Sequence, residues 1–570
     1  MSSVKLVELR QDRRLIDPNF DGYKLSLDTI PTIKHELTTP PLRAKPSEEQ
    51  YSFLHVELFS LHNHLVQDPW DRLSVYFINA QGSIQKCTYC LETGRPKPPT
   101  VVYKLPSTAN RQPGDYNISF KFMSEQLCLL CDGCNQIYLL ETGDRRKSAE
   151  WKVAFKSDIS QDHRNFVIRD AKVHNEGEIR KINFVLHRIG HREGEGNFTE
   201  LLWYTITESQ TKVRTLEYKE TFCGKGSINY CALEPRSTGI ILCSNKSFKA
   251  VSVAQEAEKE EGSATNGEET PSADSSNQNF AWSQTDEDIT IKFACRPDVT
   301  KNDYKITCTK DKLQVKCREN VLLDNSLFSK VDTDLTTWTL ENDFLQLTLV
   351  KDVSTLHWPF LVSGGPPEST DAEKDCSPPV GPPVSNLEAQ MEECDEPTQS
   401  TEEEFYIDRI DHNTLKPTHR ILLGSRPPLF STCLRPGFPP AIATRQDVDA
   451  CLWLLHISPT NPENWTFRHE GTFNALGYVE ASKQQKKFID CSPDLNYAVI
   501  CESFRHIFIY KSKYDTANML RNRNGPQVSI GKQQLVTLED AGEVLGMALE
   551  DSIAFILTEK FVLYLQINVD

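Results

Sequence analysis

Apolar residues along most of this chain recur with a period of two. The runs 53–58, 73–78, 116–122, 136–140 and 151–155 each alternate apolar and polar positions over a few residues, then stop at a polar turn. In an extended backbone successive side chains point to opposite faces, so each run predicts a short strand with one buried face. The runs follow one another at intervals of roughly 8–12 residues with no sustained 3.6-residue period between them, which predicts an all-β sandwich, barrel or propeller.

The C-terminal third narrows the choice. Residues 487–491 and 497–501 read as two strands separated by a Ser492-Pro493-Asp494 turn, and Ile507-Phe508-Ile509-Tyr510 supplies a third. This cadence resembles the inner strands of a WD-repeat blade. It returns at 544–549, 552–557 and 561–567, and more weakly at 228–233, 239–243 and 248–253, although none of these copies closes on a Trp-Asp dipeptide. Four strands per blade give seven units: 51–105, 116–156, 165–222, 227–253 with 405–410, 418–468, 487–538 and 544–567. The last holds only three strands, and residues 4–9 are expected to supply the fourth, closing the ring and hiding its edges. The expectation is a divergent, seven-bladed WD-like β-propeller.

Two acidic stretches interrupt it. Residues 255–279 hold seven acids and one Lys, and residues 364–404 hold twelve acids and one Lys. Together they carry the whole formal net charge of −17. Their Ser, Gly and Pro content leaves too little apolar area to offset chain entropy, so both are expected to be disordered linkers. Between them, residues 280–363 read as an antiparallel β-sandwich of seven short strands, with Trp338 filling the space between its sheets. The expected order is therefore the first part of a propeller (1–254), linker (255–279), sandwich (280–363), linker (364–404) and the rest of the propeller (405–570). A sandwich placed this way is an insertion into a loop of the fourth blade, where insertions are tolerated.

The central block resembles the CS domain of the NudC family. The residues that carry the resemblance are Trp282 and Gln284 in the opening strand, the alternating run 288–293, and Asp303-Tyr304-Lys305-Ile306. It continues through Leu313-Gln314-Val315, Trp338-Thr339-Leu340-Glu341 and the closing segment 351–358. What the resemblance implies is a protein-interaction module without enzymatic activity, in a chaperone or co-chaperone. Several members are linked to the 90-kilodalton heat-shock chaperone, and their clients include β-propeller (WD-repeat) proteins. The chain departs from the founding member, which works with dynein-related machinery, in two ways. The sandwich lies inside a propeller rather than near a C-terminus, and no heptads offer a dimerising coiled coil, so a monomer is expected. The alternative is a propeller scaffold in a trafficking coat or a nuclear ribonucleoprotein complex, with the CS domain as a regulatory passenger.

Candidate chemistry changes this picture little. Outside the linkers the charge is near zero, without the basic field that phosphate backbones require, so direct nucleic-acid binding is not expected. No apolar run of about 18 residues predicts a membrane span, and the N-terminus lacks a signal-peptide pattern. Seventeen scattered cysteines then read as reduced thiols of a cytoplasmic and nuclear protein. Cys87 with Cys90, and Cys128, Cys131 and Cys134, have zinc-ligand spacing. They lie in strand-like runs, however, where alternation points Cys128 and Cys131 to opposite faces, so structural thiols and no metal are expected. His187 and His191 are read as loop or strand residues, with Gly190 marking a turn. Gly190, Gly194 and Gly196 lack the strand-to-helix setting of a phosphate loop. No triad or cofactor motif nominates itself, so no enzyme is expected. The candidate protein-binding residues are Trp282, Gln284 and Trp358, either as core and strand-end packing or as aromatic anchors for a partner. Trp70 and Phe438-Pro439-Pro440 lie at expected propeller loops.

Overall fold

The computed structural model describes residues 4–252 (except 107–110, 148–149, 160–163 and 193–195), 280–362 (except 286–287, 295–300, 319, 342–343, 353–357 and 359–360) and 404–567 (except 458–463, 513–519 and 522–526). The chain divides into two compact units, Met1–Thr265 with Glu402–Asp570, and Asn266–Thr401. Both expected linkers lie outside the described residues, apart from Glu404.

The period-two runs of the larger unit build seven sheets, each centred on four antiparallel strands and four of them extended by one or more further strands. The first contains Val66–Gln67, Ser74–Ile78, Ser83–Cys90 and Thr100–Lys104. The second contains Ser119–Phe122, Leu127–Cys131, Gln136–Glu141 and Lys152–Asp158. Val167–Glu176, Ile179–Arg192, Gly196–Glu208 and Arg214–Gly224 form the third, and Tyr230–Leu233, Gly239–Ser244, Phe405–Asp411 and Pro417–Gly424 the fourth. The fifth holds Phe430–Thr432, Ala441–Gln446, Asp449–Ile457 and Trp465–Phe473. The sixth holds Lys486–Cys491, Tyr497–Glu502, His506–Lys511 and Gln527–Thr537. Val544–Leu549, Ile553–Thr558 and Phe561–Gln566 complete the set with Thr32–Glu36.

These sheets close a ring by side-chain packing rather than by a continuous ladder of backbone bonds. Each neighbouring pair shares one apolar cluster. Tyr76 and Ile84 meet Phe120 and Trp151 between the first and second sheets. Leu129 and Leu139 meet Phe184 and Tyr204 between the second and third. Further clusters follow at each junction. The last joins Phe555 and Tyr564 of the seventh sheet to Val75 and Phe77 of the first. Both faces of each sheet are thereby buried, which is why the inner strands read as nearly continuous apolar runs, such as Leu127–Cys131. The fold is a seven-bladed β-propeller.

Several expectations need correction. The strand that completes the seventh sheet is Thr32–Glu36, antiparallel to Phe561–Gln566, and not residues 4–9. Lys5–Leu6 instead pairs in parallel with Pro417–Gly424 of the fourth sheet. Packing decides the difference. Val7 and Leu9 fit against the cluster between the fourth and fifth sheets, whereas Ile33 and Leu37 fit between the seventh and first. Residues 418–424 belong to the fourth sheet, so the fifth begins at Phe430. Lys249–Ala250 extends the third sheet through Phe222 and Cys223 instead of joining the fourth. Phe53–Phe59 is a helix, with Ser52 at its N-cap and Leu58 facing inward. Its Leu54 and Leu58 are spaced for a helix face as well as for a strand. Gly190 is no turn; it sits within Ile179–Arg192, where a Cβ would lie 2.6 Å from the Phe198 ring. The glycine makes room for that ring.

The smaller unit has two sheets. One orders Phe280–Gln284, Asp288–Ala294, Phe344–Lys351 and Val331–Glu341; the other orders Tyr304–Thr309, Lys312–Cys317 and Asn320–Ser326. The alternating residues of its strands, among them Ile289, Ile291, Leu313, Val315 and Leu347, meet in a single core. Trp338, opposite Leu347, packs against the margin of that core rather than filling its centre. It lies on the edge strand, half-buried, with the Lys301 ammonium 4.8 Å from its ring centre. By sequence the unit lies between Gly239–Ser244 and Phe405–Asp411, which pair directly with each other in the fourth propeller sheet.

Candidate functional site

Two of the three candidate residues are core. Trp282 faces inward from the opening strand, opposite Ile291, and is 1% exposed. Trp358 is 1% exposed as well. It joins Leu361 and Val362 in the same cluster, with the Phe328 ring 5.9 Å away. Neither indole presents a face that a partner could cover, and burial of both holds the two ends of the sandwich together.

Gln284 explains how the closing segment is held. Its side-chain amide donates from Nε2 to the Trp358 carbonyl at 2.8 Å, and its Oε1 accepts from the Trp358 N–H at 2.8 Å. A side-chain amide thus substitutes for a paired strand residue. The same Oε1 accepts from Lys351 Nζ at 2.9 Å, and Lys351 also donates to the Thr285 carbonyl at 2.7 Å. Lys351 is 5% exposed, so these bonds satisfy a charge removed from water. In sequence the signal was a Gln two residues after an inward Trp, with a Lys near the end of the last strand. The pairing itself required the fold.

The metal candidates are dispersed. Cys128 lies in the cluster between the first and second blades, Cys131 in the one between the second and third, and Cys87 in the one between the seventh and first. Burial pushes the Cys87 thiol up to about 12 and raises Cys128 and Cys131. Thiols held protonated in this way are inert packing groups. Among the described residues no three His, Cys, Asp or Glu side chains gather in a metal-binding arrangement. His187 accepts from Arg169 Nε at 3.0 Å through Nδ1, and His191 contacts Asn197 Oδ1 at 3.0 Å.

The propeller axis holds a feature that sequence reading missed. Inner strands converge on a cavity of about 500 Å³. Lys121 reaches it from the second blade, Arg169 and Lys172 from the third, Asp490 from the sixth, and His62 and His64 from the loop before the first. The Arg169 guanidinium is committed to Glu57 and His187. Asp170 accepts the N–H groups of Ala171 and Leu233, each at 2.9 Å, and lies 3.7 Å from Lys172 Nζ. Enclosure by protein lowers Lys121, and brings His62 down to about 4, with Arg169 and Lys121 adding to the effect. It also pushes Asp490 up to about 7. Phe438, one of the singled-out loop residues, lines this cavity and is 46% exposed; Trp70 packs half-buried against the first cluster. Lys121 sits in Ser119–Phe122 at a position that alternation marks only as solvent-facing. That the solvent there is an axial channel follows from the ring, not from the strand.

Known proteins match this chain over its central block and over its full length. The CS domain family model matches residues 278–351. The NudC domain-containing protein 1 of Mus musculus is 32% identical over 590 aligned positions, covering 99% of this chain and 99% of the mouse protein. Among solved structures, a nuclear movement protein from E. cuniculi is 25% identical, covering 15% of this chain and 99% of its own at a TM-score of 0.14. The β-propeller domain of Myceliophteria thermophila Cps50 (Swd1) is 8% identical, covering 93% of this chain and 99% of its own at a TM-score of 0.29. Identity sustained across both the propeller and its insertion settles the relationship: this chain belongs to the family of NudC domain-containing protein 1.

Proposed function

We propose that the chain is a non-enzymatic co-chaperone-type adaptor of the cytoplasm and nucleus. A protein-interaction role follows from the CS domain and the family. The finer reading is that the sandwich holds a client or the 90-kilodalton heat-shock chaperone, while the propeller engages a further protein. The observation that carries it is the sandwich itself: a unit with its own complete core, placed by the chain within one blade of a rigid scaffold. Two binding surfaces on one chain raise each other's effective concentration, so weak contacts at each suffice for a stable complex. With Trp282 and Trp358 buried, the sandwich offers a partner its outer strand faces and edges instead of either of these indoles.

The test is comparative affinity purification from cytosol and nucleus with mass spectrometry, using the full chain and one in which a flexible linker replaces residues 280–363. Loss of heat-shock chaperone and propeller-containing clients from the shortened chain is the expected result. An unchanged partner set would overturn the adaptor reading and favour the propeller scaffold of a coat or ribonucleoprotein complex.

A further inference from the structure

The axial cavity contains more positive hydrogen-bonding capacity than the protein itself uses. Lys121 makes no hydrogen bond or ion pair with any described residue. Its neighbouring carboxylates are already engaged, Glu57 by Arg169 and Asp170 by two backbone N–H groups with Lys172 beside it. His62 and His64 stack edge to face at 4.8 Å, and neither ring has a hydrogen-bond partner among the described residues. By contrast, the other polar side chains of that loop are used structurally. Asn63 bridges to Met547 through both its amide atoms, and Gln67 donates to the Arg72 and Leu549 carbonyls. The free groups are therefore not a general property of the wall.

An ammonium surrounded by protein attracts an anion without the screening of bulk solvent, and an incoming anion in turn favours the charged ammonium that burial alone disfavours. The positive groups come from two adjacent blades, so the field is directional. On the opposite side Asp490 accepts the Cys491 N–H at 2.8 Å, and burial raises its carboxyl to about 7, so it repels an anion only as pH rises past that value. The kind of anion follows from the donors. The planar fork of Arg169, which would match a carboxylate, is occupied. What remains is the unpartnered ammonium of Lys121, a point charge, and single N–H groups of the His62 and His64 imidazoles; the Lys172 ammonium adds charge beside them but already donates to the Phe438 carbonyl at 3.1 Å and lies 3.7 Å from Asp170. Donors spread in this way suit the tetrahedral oxygens of phosphate. A volume of about 500 Å³ accommodates a small molecule, being within the range usual for such sites.

We propose that the propeller channel is a binding site for a compact phosphate-type polyanion, held between Lys121 and Lys172 with His62 and His64 as neutral donors. The site is independent of the sandwich and of the adaptor reading.

The experiment is calorimetric titration of the full chain with pyrophosphate and, separately, with a phosphoserine tripeptide, repeated on Lys121→Met and Lys121→Gln. Lys121 supports no other group, so both variants are expected to fold with an unchanged or raised melting temperature. The expected result is one pyrophosphate bound per chain, with affinity lowered at least about tenfold by either substitution. Binding of pyrophosphate alone assigns the site to free polyphosphates; binding of both assigns it to phosphate esters more broadly. If neither probe binds the unaltered chain, or if the variants bind as tightly as it does, the proposal is wrong.

Discussion

At the scale of single residues, the hydrogen-bonding of Gln284 is more informative than the tryptophans beside it. Its one amide replaces a strand partner for Trp358 and also accepts from a buried Lys351. Gln284→Ala is expected to destabilise the sandwich by about 2–3 kcal/mol, because buried donors and acceptors lose partners that water cannot replace. Hydrogen exchange measured at Ile289, Ile291 and Phe293 in the full chain should accelerate, while the propeller amides should not change. Gln284→Glu is expected to recover only part of the loss, since it keeps an acceptor for Lys351 but no donor for the Trp358 carbonyl. Asp490 gives a pH-dependent prediction. Its folded-state pKa is raised to about 7 from 3.8, so the folded chain holds a proton that the unfolded chain releases. Its contribution to stability is therefore present at low pH and lost as pH rises from about 4 to about 7. Asp490→Asn should raise the melting temperature at pH 8 and have little effect near pH 4. An equal shift at both pH values would show that charge is not the cause.

At the scale of elements, short apolar runs located the strands: inner strands such as Leu127–Cys131, buried on both faces, read as continuous runs, and strands with one exposed face read as alternating ones. Alternation also located the sandwich core, through residues such as Ile291 and Leu347. It failed where two geometries share one pattern, as in Phe53–Phe59, and where assignment depends on a partner far away in sequence. Nothing local distinguishes Lys5–Leu6 from Thr32–Glu36 as the closing strand; the clusters that Val7 and Ile33 enter make the distinction. For the same reason Trp338, expected between the sheets, lies half-buried at the margin of the core, since strand order decides which strand is an edge. The N-terminal segment in fact pairs with three blades: Lys5–Leu6 with the fourth, Phe20–Leu25 with the sixth and Thr32–Glu36 with the seventh. These pairings differ in what they hold. Two residues pair in the first, whereas the last supplies five paired residues and part of the core that closes the ring. Deletion through residue 16 is expected to leave a folded, less stable propeller with faster proteolysis near Pro417–Gly424. Deletion through residue 38 is expected to abolish folding, because it leaves the seventh sheet with an open edge. Limited proteolysis and circular dichroism of the two truncations separate these outcomes.

At the scale of the molecule, charge is partitioned as sharply as structure. The acidic stretches flanking the sandwich carry the net charge of the whole chain, leaving the remainder near neutral. The two units have separate cores, so replacing residues 280–363 by a flexible linker should leave the propeller folded, and this makes the division of labour measurable. The most direct measurement heats a purified β-propeller client in the presence of the full chain, without ATP, and follows light scattering. If the sandwich holds clients, the full chain keeps the client soluble, the chain lacking 280–363 does not, and Lys121→Met behaves like the full chain. Equal protection with and without the sandwich, or none from either, would contradict that reading.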